Sequence, residues 1–249
     1  MERPDPRPAM SSETAPSPDA KTPPPLRVAM LAYPAMTLLD LAGPQAALGA
    51  HGRTCLVWKD LEPVPCDTGV AVLPTHAFDD CPGALDVLFV PGGFGTASWM
   101  EDDAVLDFLR EAAKEARYVT SVCSGALLLA AAGLLEGYRA ATHWAAHEAL
   151  AATGVEAVRE RVVIDRNRVT GGGVTAGIDF GLTLLAELRG EAVARATQLA
   201  LEYDPAPPFP GGTPETSEPE TVAAVRSMTA EMDRALMGAA RRARARRTS

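Results

Sequence analysis

From residue 26 to about residue 203, short apolar runs of strand length alternate with stretches of helical length. Residues 27–33, 54–58, 70–73, 86–90 and 118–122 read as strands, with weaker strands near 139–142, 162–165 and Val169. Residues 37–49, 102–116, 126–132 and 178–188 read as helices. Several of the strand runs are apolar on both faces, as in strands covered on both sides. The alternation predicts an α/β fold of three layers, a mostly parallel sheet between helices. In such a fold, ligands bind at the carboxyl ends of strands where the topology switches.

The segments outside that pattern differ in composition. Residues 1–25 hold eight of the 21 prolines among Ser, Thr, Asp and Glu, and are expected to be a disordered tail. Residues 26–205 are expected to be the folded α/β domain. Residues 206–249 are read as a Pro/Gly-rich linker followed by a helix with an arginine-rich end. Those five arginines between Arg241 and Arg247 are read as a solvated helix end rather than a nucleic-acid arm.

A net charge of −9 argues against sequence-independent nucleic-acid binding and against an anionic membrane surface. The N-terminus has no apolar signal region, and the longest apolar stretch, 126–135, is too short to span a bilayer. Cys55, Cys66, Cys81 and Cys123 form no C-x-x-C pair, so neither a metal site nor a redox motif is expected. A cytoplasmic setting with free thiols is expected.

Chemistry is expected at Cys123. A buried strand runs directly into it, followed by the small residues Ser124, Gly125 and Ala126 and then a helix. This is the pattern of a nucleophile elbow, in which a sharp strand-to-helix turn lifts one side chain above the sheet. The adjoining helix N-terminus is expected to lower the thiol pKa. Cys55, Cys66 and Cys81 lack that context and read as structural.

Gly92 and Gly93 follow the strand at 86–90 and bring backbone amides to its carboxyl end, where they are expected to meet developing negative charge. Asp40 lies among leucines just after the first strand. Burial there would raise its pKa and suit it to proton transfer; helix capping is the alternative. His143 is expected to orient the thiol, to line the pocket or to sit at the core edge. His147 and Glu148 read as solvated, and Thr175 as a helix cap.

Together, Cys123 within Ser-Val-Cys-Ser-Gly-Ala, the Pro-Gly-Gly run ending at Gly93, Ala-Thr-His143-Trp and Thr175-Ala-Gly-Ile-Asp resemble the ThiJ/PfpI superfamily. The resemblance covers about residues 26–235. It implies a class I glutamine amidotransferase-like, flavodoxin-like fold, a homodimer, a cysteine nucleophile, a small-molecule substrate and no cofactor. The likeness is greatest to the isonitrile hydratase branch, through Asp40 in Leu-Asp-Leu-Ala-Gly-Pro and the late Gln-Leu-Ala-Leu-Glu-Tyr-Asp-Pro segment. Cys123 matches the nucleophile and Asp40 its acidic partner. Ser124 stands where that branch usually has Thr, which keeps the hydroxyl and loses a methyl.

The implied reaction is addition of Cys123 to an isonitrile carbon, with Asp40 as acid and then base, giving a thioimidate and finally an N-substituted formamide. Glyoxalase- or deglycase-like chemistry is the enzymatic alternative. A ligand-sensing domain like those of AraC-type regulators is the non-catalytic one. Only 45 residues follow Asp204, fewer than a helix-turn-helix domain beyond a linker would need, so an enzyme is expected.

Overall fold

The computed structural model describes residues 23–248. Of the expected N-terminal tail, residues 1–22 lie outside the described residues, while Pro23, Pro24 and Pro25 are exposed and irregular.

In chain order the elements are β1 (Leu26–Leu31), α1 (Leu38–Leu48), β2 (Gly52–Trp58), β3 (Val64–Pro65), β4 (Ala71–Val72), β5 (His76–Ala77), β6 (Val87–Val90), α2 (Thr96–Trp99) and α3 (Asp103–Glu115). There follow β7 (Tyr118–Val122), α4 (Gly125–Ala131), β8 (Arg139–Ala140), α5 (His147–Ala152), β9 (Glu156–Ala157), β10 (Val162–Asp165), β11 (Arg168–Gly171), α6 (Ala176–Arg189), α7 (Glu191–Ala200) and α8 (Pro219–Thr248).

Seven strands form one sheet in the order β10-β11-β7-β6-β1-β2-β5. All neighbours are parallel except β10, which pairs antiparallel with β11. β1, β6 and β7 sit at the centre and are almost wholly buried, which is why apolar residues predominate in them, with Thr120 and Ser121 of β7 as buried polar exceptions. One helical group joins α1, α6 and α7; the other joins α2, α3, α4, α5 and α8. This is the expected three-layer, mostly parallel arrangement.

Two expected strands lie elsewhere. The run at 70–73 contributes only Ala71–Val72, which pairs with β3 in a separate ribbon. The run at 139–142 yields β8, which pairs with β9. Both are two residues long, too short to extend the central sheet. The sequence reading also passed over α2, α7, β3, β5 and β9.

α1 and α6 approach closely because small residues face each other. A Cβ on Gly177 would lie 2.9 Å from Pro44 Cδ, and one on Gly181 would lie 2.8 Å from Ala47 Cβ. That contact seats the N-terminal turn of α1, and with it Asp40, at the sheet edge.

α8 begins with proline, whose missing amide costs nothing in a first turn. It buries Leu236, Ala239, Ala240 and Ala243, the spacing of one helical face, and packs on α5, α4 and α2. Arg241, Arg242, Arg244 and Arg246 are exposed, as expected of a solvated helix end, and only Arg247 is half-buried. Arg242 pairs with Glu101. The half-buried Arg247 donates to the Ala130 carbonyl and, at 2.6 Å, to the Thr153 carbonyl, satisfying the open ends of α4 and α5.

Candidate active site

The loops after β1, β6 and β7 emerge side by side at one edge of the sheet, because those strands are parallel neighbours. The chain reverses direction across the sheet at β1, with β2 on one side and β6 on the other. This is the switch point at which α/β folds gather ligands.

Cys123 occupies the turn between β7 and α4 at φ 54°, a left-handed conformation that costs a residue with a Cβ on the order of 1–2 kcal/mol. Its amide donates to Gly171 O (3.1 Å) and Gly172 O (2.8 Å). Its carbonyl accepts from Thr142 Oγ1 at 2.7 Å. A Cβ on Gly125 would sit 2.3 Å from Val90 O, so the turn needs glycine there. The thiol is buried, with 7% of the residue exposed.

Asp40 is fully buried in α1. It is not the cap of that helix; Thr37 holds that position. Asp40 Oδ2 accepts the Gly92 amide at 2.8 Å, and Oδ1 makes no hydrogen bond of normal geometry. Burial pushes its pKa up to about 7, the Gly92 amide and the Cys123 thiol oppose the rise, and the nearby Asp67 carboxylate adds to it.

The expected low thiol pKa at Cys123 is not found. Burial and then the Asp40 carboxylate raise it well above the ordinary value, outweighing the Ser124 amide and hydroxyl that act to lower it. α4 is only seven residues long, and its partial charge does not offset a desolvated thiol beside a carboxylate. Burial thus favours the protonated form of both the Cys123 thiol and the Asp40 carboxyl.

Gly92 and Gly93 spend their amides inside the protein, on Asp40 Oδ2 and on Ser124 Oγ (2.9 Å). Ser124 Oγ also meets Thr96 Oγ1 at 2.8 Å, and Thr96 Oγ1 lies 3.0 Å from Tyr33 Oη, which donates to Pro91 O. This buried hydroxyl chain was missed by the sequence reading. Tyr33 ends a strand run and Thr96 opens a short helix, and neither position carries a local signal.

His143 lies one residue beyond Thr142 and packs on Gly173, where a Cβ would be 2.5 Å from its Cδ2. Nδ1 accepts the Ala145 amide at 3.3 Å, which leaves the neutral ring's proton on Nε2. Burial lowers its pKa against an opposing effect of Asp233. His147 is half-buried rather than solvated, while Glu148 is exposed. Thr175 precedes α6 without a side-chain capping bond. Cys55, Cys66 and Cys81 are free thiols raised by burial, Cys81 to about 11. Among the described residues no cluster of side chains is suited to a metal ion.

Residues 26–187 match the model of the DJ-1/PfpI family. The chain belongs to the DJ-1/PfpI family. The isonitrile hydratase of Pseudomonas putida is 51% identical over 207 residues, covering 82% of this family member and 90% of that protein. The crystal structure of a ThiJ/PfpI family protein from Pseudomonas syringae superposes with a TM-score of 0.86 at 44% identity, covering 92% of this chain and 98% of that one. The HTH-type transcriptional regulator GbdR of Pseudomonas aeruginosa is 31% identical over 195 residues, 72% of this chain but only 51% of the regulator. The family match ends at residue 187, so the 204–218 segment and α8 lie beyond it.

Proposed function

We propose that this DJ-1/PfpI family member is an isonitrile hydratase-like hydro-lyase that converts an isonitrile and water to an N-substituted formamide. The observation that carries the reading is the buried Asp40 carboxyl, held by Gly92 and coupled to the Cys123 thiol at the strand switch point. Its pKa of about 7 suits a group that both takes and gives protons near neutrality.

Asp40 takes the proton of the Cys123 thiol. The thiolate bonds to the isonitrile carbon, and Asp40 returns that proton to the same carbon, leaving a thioimidate, R–N=CH–S. Asp40, again ionised, removes a proton from water as the oxygen bonds to the carbon, and passes it to nitrogen. The tetrahedral adduct then expels the sulfur, which regains the hydroxyl proton as the C=O bond forms. One R–N≡C and one water become one R–NH–CHO, and the enzyme is restored. Ser124 donates to the sulfur while it carries charge, the role that the lowering effect of its amide and hydroxyl supports. Gly92 and Gly93 position Asp40 and Ser124, and His143 offers its Nε2 proton to the pocket.

Incubating the protein and Cys123→Ala with a simple isonitrile and with methylglyoxal tests the reading. Formamide from the isonitrile, abolished in Cys123→Ala, is expected. Consumption of methylglyoxal alone points to glyoxalase-like chemistry. Binding without turnover of either points to the sensor role that the similarity to a transcriptional regulator makes worth separating. We assign the catalytic unit to residues 26–205, with 206–249 appended, acting as a cytoplasmic homodimer; sedimentation analysis checks the stoichiometry.

A further inference from the structure

We infer that the nitrogen substituent of the substrate lies in a cavity of about 380 Å³ beside the elbow, and that the appended segment at residues 212–215 forms one of its walls. The inference rests on the isonitrile reading and adds to it the class of substituent.

The cavity adjoins the nucleophile through Thr142 and Gly172, whose side chain and carbonyl bond the Cys123 backbone. Its volume falls in the range of small-molecule sites. Trp144, Val158 and Val174 give it apolar walls. His143, which carries a proton on Nε2, adds a polar donor to the wall. The opposite wall comes from the irregular stretch before α8, fastened across the rim by the Arg159–Glu215 ion pair at 3.2 Å. These features fit an apolar, ring-sized substituent that carries a hydrogen-bond acceptor at its edge.

Specificity, kcat/KM for formamide formation, is compared for methyl, benzyl and pyridin-4-ylmethyl isocyanide. Val174→Phe and Thr213→Trp narrow the cavity from opposite walls; Thr213 is exposed in an irregular segment, so that variant is expected to fold. Each should lower the benzyl-to-methyl ratio at least ten-fold. His143→Phe should lower the pyridylmethyl-to-benzyl ratio at least five-fold. If the wild type hydrates methyl and benzyl isocyanide and both narrowing variants keep the ratio within two-fold, the substituent lies elsewhere and the inference is overturned. An unmoved pyridylmethyl-to-benzyl ratio in His143→Phe overturns the acceptor part. Formamide from none of the three with wild-type protein overturns the functional reading, and this one with it.

Discussion

The Gly92 amide donates to Asp40 Oδ2 at 2.8 Å, so the loop after β6 holds the carboxyl that acts on the cysteine after β7. The glycine alone is an ordinary turn, and the carboxyl alone is an expensive buried group.

Asp40→Asn removes that charge and keeps the acceptor for Gly92. The wild-type carboxyl is raised in the folded state from 3.8 to about 7, so the native protein binds more protons than the unfolded chain between those values. Stability therefore falls as pH rises through that window, by up to roughly 4 kcal/mol. Asp40→Asn should lack this loss: relative to wild type its melting temperature should be higher at pH 8 than at pH 5. Its isonitrile turnover should fall at least about 10²-fold. Near-normal turnover would remove Asp40 from the chemistry.

Alkylation reports the thiol. Cys123 is raised by burial and by the Asp40 carboxylate, so iodoacetamide should react slowly at neutral pH and faster as pH climbs beyond 9. In Asp40→Asn the profile should move to lower pH, because the opposing charge is gone. Peptide mass mapping of the modified cysteines against pH gives both curves, and identical curves would uncouple the pair.

Gly92→Ala probes the close approach of the two loops. The added Cβ would lie 2.5 Å from Ser124 N and 2.8 Å from Cys123 Cβ, against backbone that cannot swing aside. A loss of about 1–3 kcal/mol is expected, with most of the turnover, because Asp40 and Cys123 move apart. Thermal melts and formamide assays read the two effects.

Arg247→Ala leaves the Ala130 and Thr153 carbonyls without their charged donor. A hydrogen bond to a charged group is worth about 1.5–3 kcal/mol, so the melting temperature should drop by roughly 3–10 °C. An unchanged melt would show that Arg247 adds nothing to the ends of α4 and α5.

What could be read from the sequence depended on how local the signal was. β6 and β7 are almost wholly buried, and both lie within a residue of their expected bounds. Cys123 announced itself through the small residues after it, and Asp40 through the leucines around it. The thiol's titration was misjudged because the helix beside Cys123 is written in the next residues, whereas the carboxylate and the burial that oppose it come from other elements. Tyr33 and Thr96 were invisible for the same reason: only the parallel register of β1, β6 and β7 brings the Thr96 hydroxyl to Ser124 and the Tyr33 hydroxyl to Thr96. The reach of α8 was underestimated because its last turns are rich in arginine, and only Ala243 marks the face that is buried there.

The adjacency of β1, β6 and β7 also governs when the protein can become active as it folds. The bonds that assemble the site close chain loops of 52 residues, from Asp40 to Gly92, and 31 residues, from Gly93 to Ser124. Long closures of parallel strands are slow, since their entropy is spent before any contact repays it. Helical signal on dilution from denaturant should return early, while formamide production lags until the central strands have docked. No proteolytic fragment that ends before Cys123 can contribute turnover, so catalytic recovery clocks the last step of sheet assembly rather than collapse.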